Sequence, residues 1–84
     1  MLDETALSAI IGEFVSAYGG EIDISLVKLE KDRLVLKFSG VLCRTCGPED
    51  YIDGFAYTLR LNGINAVLLD YKEEKGSYIV TYSL

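Results

Sequence analysis

The sequence contains no histidine. That removes the commonest general base near neutral pH. It also removes every Cys/His zinc pattern and every Ser/His or Cys/His nucleophile pair. No recognisable catalytic constellation is left, so a non-enzymatic role is expected. Basic residues are scarce too: 8 Lys and Arg face 13 Asp and Glu, for a formal net charge of -5. Phosphate backbones and anionic lipid surfaces attract basic patches and repel acidic ones, which argues against nucleic acid and membranes as partners. Long apolar runs are missing, and none approaches the ~20 residues that a bilayer-crossing helix needs. Met1 to Ile11 carries Asp3 and Glu4 without a basic start, unlike a signal peptide. A cytoplasmic protein is expected.

What is present is a chain of 84 residues, half of them hydrophobic. That composition belongs to a folded chain. Its length suits a single domain, spanning residues 1–84, that buries roughly 60–65% of the surface of its unfolded form. No linker, internal repeat or low-complexity segment interrupts it.

The pattern predicts helix, hairpin, CxxC, helix, hairpin. Leu7, Ile10, Ile11, Phe14 and Tyr18 recur at spacings of three and four, which predicts a helix over residues 5–18. Asp3 is placed to cap it and Gly19-Gly20 to end it. Ile22, Ile24 and Leu26 alternate with Asp23 and Ser25, the signature of a half-buried strand. The phase then slips to Val27 and Leu29, which a bulge near Leu26 or burial of both faces would explain. A polar turn, Glu30-Lys31-Asp32-Arg33, leads to a second strand with Leu34, Leu36 and Phe38 facing inward. Pro48 starts the second helix, where its missing N–H costs nothing. Glu49 and Asp50 suit the positive end of that helix. Ile52, Phe55, Ala56 and Leu59 form its buried stripe, and Asn62-Gly63 stops it.

The last hairpin is expected over 66–72 and 77–84, with Gly76 in a bulge-type turn. That register pairs Tyr71 with Ile79 and Leu69 with Thr81 on one face, and Leu68 with Tyr82 and Asp70 with Val80 on the other. It leaves Leu68, Tyr78, Val80 and Tyr82 either as a surface for a second copy of the chain or as an exposed aromatic edge without a partner, and a register shifted by one residue would exchange the two faces. The whole reads as an α+β fold, αββαββ, with a mixed β-sheet and two helices packed on one face. The crossover through the second helix is expected to be right-handed.

The chemistry concentrates at Cys43-Arg44-Thr45-Cys46, the only two cysteines in the chain. In a reducing compartment such a pair is inert, redox-active or metal-bound. Its position before a helix start favours thiolates and Arg44 adds positive charge, whereas Glu49 and Asp50 act against this. Thiolates bind metals or attack disulfides. One CxxC provides two ligands, whereas tetrahedral zinc and common iron–sulfur clusters take four. A homodimer would supply the pair twice. A thioredoxin-like arrangement places its CxxC after an early strand in a βαβ unit, and here a helix and a hairpin come first.

Several residues resemble the NifU C-terminal domain, a module of iron–sulfur cluster assembly. They are Tyr18-Gly19-Gly20-Glu21, the hairpin over 22–39, the stretch from Gly40 through Cys43, Cys46, Gly47 and Pro48, and the helix with Ile52, Phe55 and Leu59. The resemblance covers roughly residues 5–70. Here Val41 and Leu42 separate the glycine from the first cysteine, where that family has one residue, and Gly47 precedes the proline. The resemblance implies that Cys43 and Cys46 ligate an iron–sulfur cluster shared by a homodimer. Gly40, Arg44, Gly47 and Pro48 would shape the binding loop, and acceptor or assembly proteins would be partners. Zinc is an alternative metal. If the cysteines are structural, the domain has no cofactor and serves protein–protein interaction; a thiol-redox protein is the third alternative.

Overall fold

A computed structural model describes residues 3–17, 22–40 and 49–84 of the chain. Its elements are helix α1 (Glu4–Ala17), strands β1 (Ile22–Leu29) and β2 (Arg33–Gly40), helix α2 (Glu49–Leu61), and strands β3 (Val67–Glu74) and β4 (Ser77–Ser83). This is the αββαββ order that the periodicities predict.

The helix ends follow from local chemistry. Asp3 Oδ1 accepts the Ala6 amide at 2.8 Å, satisfying a first-turn donor of α1. At the end of α2, Gly63 takes φ +82°, a left-handed conformation that glycine adopts without a Cβ penalty. There the Gly63 amide donates to the Arg60 carbonyl at 3.0 Å and the Ile64 amide to the Leu59 carbonyl at 2.9 Å. These two bonds form a Schellman cap. Ile64 then packs onto the core.

The strands form one sheet in the order β1-β2-β4-β3. Every neighbouring pair is antiparallel, so the sheet is not mixed as expected. The reason is β4. The connection through α2 makes β2 and β3 run in the same direction, but β4 inserts between them and pairs with both. The slip in β1 is a bulge between Leu26 and Lys28, and it turns Val27 out to solvent at 55% exposure.

A second bulge, between Leu68 and Asp70, sets the last hairpin. Tyr71 therefore faces Val80, not Ile79, and Asp70 faces Thr81, not Val80. The turn holds only Lys75 and Gly76, with φ of +51° and +81°. That is a two-residue type I′ turn in place of the bulge-type turn expected there. The extra residue sits in the strand instead. Leu68 faces Tyr82 as expected. The helices cover the face that carries Val80 and Tyr82, and both are fully buried in the core of one chain, so neither forms the surface for a second copy expected there.

Both helices cover this one face. Leu7, Ile10 and Phe14 of α1 and Ile52, Phe55, Ala56 and Leu59 of α2 join Ile22, Ile24, Leu34, Leu36, Phe38, Val80 and Tyr82 in one cluster. The opposite face carries Asp23, Ser25, Lys37 and Lys72, all exposed. Phe55 lies at the centre of the aromatic contacts. Its ring meets Phe14 edge-on at 5.2 Å, Phe38 edge-on at 6.0 Å and Tyr82 at 6.1 Å. Such pairs add about 0.5–1.5 kcal/mol each beyond simple burial. The Tyr82 hydroxyl donates to the Ile52 carbonyl at 2.7 Å, so β4 is fixed to α2 by a polar bond inside an apolar core. Among the described residues no helix is long and apolar enough to cross a membrane.

Two stability predictions follow from this packing. Phe55→Ala should destabilise the domain by about 3–5 kcal/mol in chemical denaturation, because three aromatic partners lose their common neighbour. Burial, and then the charge of Asp53, raise the Tyr82 pKa far above its ordinary value. The unfolded chain ionises this tyrosine from about pH 10, whereas the folded chain keeps it protonated. Stability is therefore full below that pH and falls as pH rises through it. Denaturation at a series of alkaline pH values should show this loss, and Tyr82→Phe should flatten it.

Candidate metal-binding segment and its surroundings

The chain reaches its cysteines from the end of β2. Gly40 closes that strand opposite Ile22 with φ +105°, a conformation strained for any residue with a Cβ. This explains a glycine immediately before the cysteine segment. The next described residue is Glu49, the first of α2. Segment 41–48 thus joins the end of β2 to the first turn of α2. Cys43 and Cys46, the expected metal ligands, lie outside the described residues. So do Arg44, Gly47 and Pro48; Gly40 alone of the expected loop-shaping residues is described.

The first turn of α2 has a polar tie that the sequence reading missed. The Tyr71 hydroxyl on β3 donates to Glu49 Oε1 at 2.8 Å. Its ring lies 6.0 Å from that of Tyr78 on β4. Tyr71 thereby holds the helix end next to the cysteine segment against an edge strand. Its pKa is raised, first by the hydrogen bond to Glu49, then by desolvation and by the charges of Glu49, Tyr78 and Asp53. The sequence offers no local signal for this contact. Its partners are 22 positions apart, and Tyr71 faces the helices only because of the bulge at Leu69.

Among the described residues no group of three or more Cys, Asp or Glu side chains could hold a metal ion. Glu49 and Asp50 are both exposed in the first turn, and Glu49 is engaged by Tyr71.

A groove of about 1050 Å³ lies between α1 and the end of α2, bordered by Ala6, Ala9, Ile10, Leu29, Ile64 and Leu84. It opens beside the C-terminal end of α2. Apolar Leu29 and Ile64 next to the two turns are the only sequence trace of it.

Compared with known proteins, the chain matches no family model, no curated protein and no solved structure.

The Tyr71–Glu49 bond makes a spectroscopic prediction. In an ultraviolet titration of phenolate absorbance, Tyr71 should ionise above the ordinary value near ~10. Glu49→Gln should return that tyrosine toward it, since the carboxylate is the main cause of the shift. An unchanged titration would show that this bond does not form in solution.

Proposed function

We propose that the chain is a small, non-enzymatic cytoplasmic domain of iron–sulfur cluster assembly. It holds a labile cluster through Cys43 and Cys46 and hands it to an acceptor protein. The observation that supports this best is the order of elements around the CxxC. A helix precedes a hairpin, the hairpin ends in a glycine of positive φ, the cysteines follow, and a second helix begins directly after them. That is the order the NifU C-terminal domain resemblance calls for.

The donor set fits half of a cluster's usual ligands. Two thiols are present and histidine is absent, so a cluster of four thiolates takes two more from a second chain or from small thiols. This incompleteness suits a carrier, because externally supplied ligands exchange during transfer. The free N–H groups of a helix's first turn favour thiolates beside them. The net charge of -5 suits an acceptor with a basic face and disfavours nucleic acid.

Anaerobic incubation with ferrous iron and sulfide tests the proposal. A brown product with sulfur-to-iron charge-transfer absorption is expected, and Cys43→Ser should abolish it. Colourless protein that takes up zinc through the same two thiols would identify a zinc domain. Protein that binds neither metal, with unreactive thiols, would make the cysteines structural. A dithiol–disulfide couple near the potentials of cytosolic oxidoreductases would make the domain a redox protein.

A further inference from the structure

The two edges of the sheet are not alike. A sheet edge leaves a row of backbone N–H and C=O groups without a neighbour, and folded chains usually guard it with charges or a bulge. Edge strand β3 is guarded in both ways. It carries Asp70, Lys72, Glu73 and Glu74, and its bulge lies at Leu69. Edge strand β1 differs. From Ile22 to Leu26 it pairs in unbroken register with β2, and its bulge comes only after Leu26. That stretch contains one charged residue, Asp23, and no proline. On its outer side, no described segment bonds to it.

The same five residues are complementary to themselves. In an antiparallel pair, residues directly opposite share a face. Two copies of β1 related by a two-fold axis at Ile24 would set Ile24 against Ile24 and Ile22 against Leu26 on the helix face. Asp23 would face Ser25 twice on the other, a carboxylate opposite a hydroxyl that can donate to it. Moving the axis to Asp23 would set the two aspartates against each other. Only the register at Ile24 matches apolar with apolar and acceptor with donor throughout.

The neighbouring helix supports the same contact. α1 packs over β1. Ala6, Ala9 and Glu13 border the groove, and Ile11 and Val15 lie on the other flank of the helix. These two are only half-buried by their own chain. Val27, at the end of the free edge, is 55% exposed.

We infer that the β1 edge is a self-association surface, on which a second copy of the chain adds its own β1 in antiparallel register about Ile24 to make a continuous eight-stranded sheet. The contact uses neither cysteine, so it stands or falls apart from cluster binding.

Sedimentation equilibrium of the metal-free protein with chelator present is the test. Ser25 is exposed and faces Lys37 within its own chain, so changes there leave the monomer folded, as circular dichroism would verify. The wild-type chain should dimerise reversibly. Ser25→Asp sets two like-charge pairs against Asp23 and should weaken the dimer about tenfold; Ser25→Lys should tighten it by a similar factor. Lys72→Glu, on the guarded edge, should change nothing. A chain that stays monomeric at all concentrations overturns the inference. So does a dimer indifferent to both changes at Ser25, or one that responds to Lys72→Glu.

Discussion

The structure depends on the ring of Phe55. It is fully buried on the face of α2 that meets the sheet, and it touches aromatic rings from α1, β2 and β4. Three elements distant in sequence are thereby gathered on one side chain. The Tyr82 hydroxyl adds direction to this packing. It donates to the Ile52 carbonyl, one turn before Phe55, so α2 is fixed in position along the sheet as well as pressed onto it. A domain of 84 residues has a thin margin of buried surface, and such a shared centre concentrates it. At its start the helix is held again, by Tyr71 through Glu49.

The fixation of α2 bears on the proposed site through its ends alone. The described chain leaves β2 at Gly40, at the end of a paired strand, and resumes at Glu49, which Tyr71 holds.

Much of this was legible in the sequence because periodicity reports burial directly. The stripe Ile52, Phe55, Ala56 and Leu59 and the alternation Leu34, Leu36 and Phe38 all lie in the core. The broken phase after Leu26 marks a real bulge. The last hairpin was misread because Leu68 and Leu69 are adjacent and alike. Nothing in the side chains says which of them is the extra residue, and the choice exchanges the two faces of all that follows. Strand neighbours were equally hidden. Whether β4 lies beside β2 or outside β3 depends on pairing across the chain, and the local pattern is the same for both. Of the candidate site, Gly40 was legible through its position before the cysteines, whereas Tyr71 and Glu49 meet only through tertiary structure.

Native mass spectrometry of the protein, purified without exposure to air from iron-replete cells, tests the central claim most directly. A species whose excess mass corresponds to inorganic iron and sulfide, and which disappears when Cys46 is changed to Ser, is the predicted result. Bare chain alone, from cells in which other cluster proteins are loaded, would contradict it.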